Sequence, residues 1–282
     1  MTRTNNNNNN NYNNYNNTDV VDGLHGLGFC APREQIEALF KHSIEHRLGP
    51  IEPIEKLVAM ERRERDARNL ARRTSAAKLG AVTPLEQFDW DHPRKLDRAL
   101  VERLLTLRFV QDCHNVLFRG PSGVGKTTLA KHLGFEALKC GYTVRYCTFA
   151  AMLADLLKQE SLPALERRLK RYTTPQLLLI DEIGYLPCDP EAADILFNIV
   201  SRRHEARSVV ITTNLPFKGW GTLFSGAASV AALVDRFAQH CHTVDIDAES
   251  WRQKHSISRA SSKPSATTKN RRPQAPKSQE SE

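Results

Sequence analysis

The run Gly120-Pro121-Ser122-Gly123-Val124-Gly125-Lys126-Thr127-Thr128 carries the clearest chemistry in this 282-residue chain. Its spacing, G-x-x-x-x-G-K-T, sets backbone N–H groups free of obstructing Cβ atoms beside one ammonium and one hydroxyl, the donor set a triphosphate requires. Lys126 is placed to reach the β- and γ-phosphates as a point charge, and Thr127 to ligate Mg²⁺. Further along, Leu177-Leu178-Leu179-Ile180 ends in Asp181-Glu182. An apolar strand of that kind is buried, so its two carboxylates belong at the exit: Asp181 holds Mg²⁺ directly or through water, and Glu182 polarises the water that attacks the γ-phosphate. A third segment, Ser208-Val209-Val210-Ile211-Thr212-Thr213, ends at Asn214, which either contacts the γ-phosphate or attacking water or caps the Leu215-Pro216 turn. ATP and Mg²⁺ are the expected ligands.

These groups need a scaffold that brings strand ends together. Hydrophobic periodicity predicts a helix opened by Pro93 with Leu96, Leu100, Leu104 and Leu107 in register, then strand 115–119, helix 125–140, strand 143–149, helices near 150–160 and 163–172, and strand 176–181. Helix 190–206, strand 208–213, helix 230–239 and strand 242–247 follow. Strands alternating with helices imply an α/β fold, a parallel sheet covered on both faces with the phosphate loop at the carboxyl end of a core strand. Upstream, residues 31–80 read as a small helical domain. One helix, opened by Pro32, carries Ile36, Leu39, Phe40, Ile44 and Leu48, and a second runs from Pro53 to about Leu79. Within the second, Arg62, Arg63, Arg65, Arg68, Arg72 and Arg73 outnumber three acids. They would line a DNA phosphate backbone, or else form a solvated face held by pairs such as Glu61–Arg65.

Composition frames the rest. Residues 1–30, with their run of Asn, are too polar to offset chain entropy and are expected to be disordered, as is the tail from 253 to 282. That tail holds seven Lys or Arg against Glu280 and Glu282, so most of the formal net charge of +8 is there, suited to nucleic acid or simply to solvation. Six cysteines without C-x-x-C spacing read as reduced thiols in a cytoplasmic protein, and alternation along a strand sends Cys241 away from His240 and His242, against a metal site there. The longest apolar run is far too short to cross a bilayer, so no membrane partner is expected.

The phosphate loop, the Asp181-Glu182 strand and the strand ending at Asn214 resemble the AAA+ ATPases. More specifically, Leu85-Glu86-Gln87-Phe88-Asp89, Asp181-Glu182-Ile183-Gly184-Tyr185, Thr212-Thr213-Asn214-Leu215-Pro216-Phe217 and Asp235-Arg236-Phe237, with His240-Cys241-His242 and Glu249-Ser250-Trp251-Arg252, are similar to IstB-like transposition helper proteins, relatives of DnaC-type helicase loaders and of the initiator DnaA. The resemblance spans roughly residues 33–252. It implies a P-loop (AAA+) core over 81–252 that hydrolyses ATP, assembles as a homo-oligomer with ATP, binds and deforms target DNA, and brings in a partner transposase of the IstA type. It also implies the sensor position for Asn214 and an arginine finger acting on a neighbouring subunit for Arg236. Arg202 and Arg203 are alternative fingers, and Arg236 by itself reads equally as a cation complementing a helix end. Two departures are noted: Thr128 stands where many relatives carry His, and the polar stretch after the last strand implies no full C-terminal lid, as in helicase loaders. A helicase loader acting as an ATP-controlled adaptor is the alternative function. A small-molecule kinase fits less well, because paired carboxylates at the strand end suit attack by water.

Overall fold

The computed structural model describes residues 17–185 and 188–251. Its centre is a parallel sheet in the order β2-β3-β4-β1-β5, made of β1 (Asn115–Arg119), β2 (Val144–Thr148), β3 (Leu177–Ile183), β4 (Ser208–Thr213) and β5 (Cys241–Asp245). Among the described residues eleven α-helices accompany it: α1 (Asn17–Gly26), α2 (Arg33–Glu45), α3 (Ile51–Ala77), α4 (Arg98–Leu105), α5 (Arg108–Gln111), α6 (Lys126–Lys139), α7 (Phe149–Leu157), α8 (Leu162–Thr173), α9 (Pro190–Arg203), α10 (Trp220–Leu223) and α11 (Ser229–Ala238).

Side chains alternate across a strand, so each apolar run feeds two cores. Val116, Phe118, Leu177, Leu179, Val210 and Val244 face a layer built on Leu129, Leu133, Ala137 and Leu138 of α6, joined by α4 and α5. Leu117, Leu178, Ile180, Val209 and Ile211 face the opposite layer, where Met152 of α7, Leu169 of α8, Leu196 and Ile199 of α9, and Leu233 and Phe237 of α11 pack. Because every strand is parallel, β1, β3 and β4 deliver their carboxyl ends to one edge.

Three expectations are corrected. Residues 17–26, expected to be disordered, form α1: Val21 is fully buried and, with Leu24, packs against Ile36, Phe40, Leu57 and Met60. The neighbouring Asn run masks these two apolar positions three apart. The expected disorder of residues 1–16 and of the tail 253–282 lies outside the described residues. Second, the helix assigned to Pro93 begins at Arg98, because Asp97 accepts the Leu100 N–H at 2.9 Å and caps it, while Lys95 pairs antiparallel with Asp247. Third, Ile44 is 69% exposed rather than part of a buried stripe, since α2 ends one residue later.

The end of α3 and the two residues after it reach the layer of α6 beside the sheet. Ala77 and Leu79 are buried among the α6 side chains, Arg73 Nη2 donates to Leu138 O at 3.1 Å, and Arg145 Nη1 donates to Ala76 O at 3.2 Å. Among the described residues no helix is long and apolar enough to cross a membrane.

Candidate nucleotide site

The loop 120–125 leaves β1 and turns directly into α6, with Gly125 at φ 97° as the N-cap. A cavity of about 300 Å³ opens above it, lined by Ser122 to Thr128, Glu182 and Tyr185, and on the other side by Gln87, Phe88, Asp89, His92 and Trp251. Absence of Cβ atoms in the loop serves the protein as well as a ligand. A Cβ at Gly120 would overlap the Ile246 carbonyl, one at Gly123 the Ser250 hydroxyl, and one at Gly125 would lie 2.7 Å from the Phe88 ring. Trp251 N donates to Gly123 O at 3.1 Å, and His92 Nε2 pairs with Glu249 O at 2.9 Å while its ring meets Trp251 edge-on. Segments 92–97 and 247–251 thus clasp each other over the loop. Phe88 and Trp251 stood in the recognised motifs, yet their spacing held no sign of a wall around the cavity.

Lys126 is only 4% exposed, and its ammonium donates to Gly120 O at 2.8 Å, Pro121 O at 2.6 Å and Tyr185 Oη at 3.5 Å. All three acceptors are neutral. A buried cation without an anion is poised for one. Asp181, 2% exposed, is the opposite case: Oδ1 accepts from Thr127 Oγ1 at 3.0 Å and from Thr212 Oγ1, and Oδ2 accepts from Tyr146 Oη at 2.7 Å. Burial, reinforced by the Asp181 hydrogen bond, pushes the Tyr146 phenol well above its usual range, so it remains a donor to Asp181. Thr212 and Tyr146 were missed as site residues, because their role depends on two strands lying side by side. Thr127 and Asp181, touching each other at the mouth of the loop, fit a Mg²⁺ that arrives with phosphate oxygens. Among the described residues no group of three His, Cys, Asp or Glu could hold a metal without them.

Glu182 is exposed at the cavity with φ 66°, and its N–H donates to Thr212 Oγ1 at 3.0 Å. The β3–β4 register slips between Ile180 and Ile183, a bulge that turns the Glu182 side chain out of the alternation and toward the cavity. Holding a non-glycine residue in the left-handed region costs about 1 kcal/mol or more, so Glu182→Gly is expected to raise the melting temperature by about 2–4 °C while deleting the carboxylate. A lower melting temperature would show that this backbone carries no strain.

Asn214 is exposed at the end of β4, and its Oδ1 occupies the space beside Gly184, 2.7 Å from where a Cβ would stand. The cap of the following turn comes instead from Thr213, whose Oγ1 accepts the Leu215 N–H at 3.1 Å. Arg236 on α11 is outside the cavity lining: its guanidinium lies 4.9 Å over the Phe197 ring and donates to Ser201 Oγ on α9. Of the alternatives, Arg203 is excluded as a finger, because it is fully buried and donates to the carbonyls of Tyr172, Thr173, Pro175, Gln176 and Ser208. Burial lowers its pKa to about 9, which still leaves it charged at neutral pH, pinning the end of α8 and the connection to β3 against the start of β4. Arg202 forks onto Glu166 with two bonds of 2.7 Å.

The arginines of α3 divide. Arg65 binds Glu61 Oε1 at 2.5 Å and the Gly28 carbonyl, Arg68 binds Glu64 and the Cys30 carbonyl, and Arg73 is tied to Leu138. Burial disfavours the Glu61 charge, but Arg65 and the N–H groups of Cys30 and Ala31 outweigh it, so its carboxyl sits below its ordinary pKa. Arg62, Arg63 and Arg72 are exposed, and none is paired with a carboxylate among the described residues. His114 gathers His240 and His242 at the far end of the sheet, with Cys241 on the opposite face of β5 as alternation requires.

Residues 27–259 match the family model described as IstB-like ATP binding protein. The chain is 35% identical over 219 residues to the insertion sequence IS21 putative ATP-binding protein of Pseudomonas aeruginosa, covering 78% of this chain and 83% of that one. It is 36% identical over 209 residues to the IS232 putative ATP-binding protein of Bacillus thuringiensis subsp. berliner, covering 73% and 84%. Among solved structures, AMPPCP-bound DnaA from Aquifex aeolicus superposes with a TM-score of 0.51 at 21% identity, over 68% of this chain and 58% of that one. DnaI superposes with a TM-score of 0.50 at 18% identity, over 60% and 92%. At such identities these two share the fold and no more.

Proposed function

The chain belongs to the family of IstB-like ATP-binding proteins, and from that premise we propose that it hydrolyses ATP to control a homo-oligomer that binds and remodels target DNA for a partner transposase of the IstA type. The observation that carries the hydrolytic reading is the bulge in β3, which separates two adjacent carboxylates. Asp181 stays buried and hydrogen-bonded, suited to holding position; Glu182 stands in the cavity, suited to taking a proton from water as its oxygen attacks the γ-phosphorus and the bond to the β-phosphate oxygen breaks. Lys126 meets the charge on the β- and γ-phosphates, and Asn214 orients the terminal group. Mg²⁺, held by Thr127 and Asp181, would supply further neutralisation of the phosphate oxygens. Clasping of 247–251 onto 92–97 keeps bulk water from the loop.

For DNA, three exposed guanidiniums on one helix, none with a carboxylate partner among the described residues, support the reading. Replacing Arg62, Arg63 and Arg72 together by Gln is expected to lower the log–log salt slope of DNA affinity by about 3, with sequence preference unchanged, since each phosphate contact contributes about 0.9. Titration of DNA in the presence of ATP over a range of salt concentrations reads this directly. An unchanged slope would remove α3 from the DNA interface.

A further inference from the structure

Tyr185 leaves the exit of β3 three residues after Glu182 and lines the same cavity. Its hydroxyl lies 3.3 Å from Ser122 Oγ and 3.5 Å from Lys126 Nζ. Lys126 is a donor only, so it engages a lone pair of the phenol and leaves the phenolic proton unspent. The one other described neighbour of the hydroxyl, Ser122 Oγ, can donate to it or accept from it and so does not lock that proton. Three groups therefore converge on the end of the loop nearest Glu182: a buried ammonium facing only neutral oxygens, a carboxylate, and a hydroxyl with a proton to give.

We infer that Tyr185 is a nucleotide-discriminating residue whose hydroxyl donates to an oxygen of the γ-phosphate, so that the turn 182–185 distinguishes a triphosphate from a diphosphate. Gly184 makes the approach feasible. Its φ of 100° folds the chain back toward the loop, and the place of its missing Cβ is taken by Asn214 Oδ1, which brings Asn214 and Tyr185 to either side of one residue. At 41% exposure the ring rests on the loop rather than in a core, so removing its hydroxyl alters the site and not the packing. A diphosphate has no oxygen at that position and gains nothing from the contact.

The inference rests on ATP as the ligand of this cavity, and its test separates the two. In the full-length protein, Tyr185→Phe is expected to weaken binding of a non-hydrolysable ATP analogue about tenfold, as for loss of a hydrogen bond to a charged acceptor, and to change ADP affinity less than about twofold. Equal weakening of both nucleotides, or no change in either, overturns the role of Tyr185. If the unaltered protein binds neither nucleotide, the ATP reading itself fails. Ser122→Ala keeps the phenolic proton and is expected to retain the preference for the triphosphate; loss of preference in both variants would assign the effect to loop packing and overturn the inference.

Discussion

Lys126→Ala is expected to weaken ATP binding by about 10²–10³-fold, the consequence of removing one member of a desolvated charge pair worth about 3–4 kcal/mol. Among the described residues no other Lys or Arg lines the cavity as a substitute. The same change is expected to leave the nucleotide-free protein at least as stable as before. Lys126 is 4% exposed, and among the described residues its ammonium is bound only to Gly120 O, Pro121 O and the Tyr185 hydroxyl, so the folded state carries the desolvation of a cation with no described anion to offset it. Nucleotide titration together with thermal melting checks both halves. Undiminished affinity would sink the phosphate-loop assignment, whereas a large fall in melting temperature would mean that lost folding, and not a lost contact, explains weaker binding.

Arg236→Ala is expected to reduce ATP hydrolysis by about 10³–10⁵-fold while leaving nucleotide affinity of the single subunit nearly unchanged. The reason is positional. Arg236 lies on α11 against Phe197 and Ser201 of α9, away from the lining of its own subunit's cavity, so any contact with a γ-phosphate has to be made across an interface. Mixing Arg236→Ala protein with Lys126→Ala protein tests this. In a head-to-tail ring an intact loop then meets an intact finger at about a quarter of the interfaces, and activity should return to roughly that fraction although neither variant is active alone. Mixtures that co-assemble and stay inactive would exclude Arg236, as would full activity of Arg236→Ala by itself. Arg202 would then be next, after release from Glu166; Arg203 would not, because its donors hold five carbonyls inside the fold.

Much of this was readable from sequence because it is local. The preceding strand, the loop and its following helix are encoded within 25 consecutive residues (115–139), and all five strands appear close to their expected positions because an apolar run flanked by helical periodicity needs no distant partner to be recognised. Asp181 and Glu182 were legible for the same reason: charge at the end of a buried strand has to sit at its exit. Local signals misled where another part of the chain competed for the backbone. Pro93 looked like a helix start until Lys95 paired with Asp247, and the Asn-rich stretch hid the two residues, Val21 and Leu24, by which α1 packs.

What the sequence by itself determined, then, is the order of elements and the placing of the glycine loop and of the acidic pair at strand ends, since spacing along one segment specifies each. Only the tertiary structure decided which neighbours those groups have. Placing β3 between β2 and β4 brings Tyr146 and Thr212 onto one carboxylate, and the bulge against β4 sends its neighbour, Glu182, the other way. Packing also distinguished two adjacent arginines: Arg202 stays at the surface on Glu166, and Arg203 turns inward, where five carbonyls from the end of α8, the connection to β3 and the start of β4 converge on its two terminal nitrogens. Such contacts join residues far apart in the chain, and no periodicity or spacing within one segment encodes them.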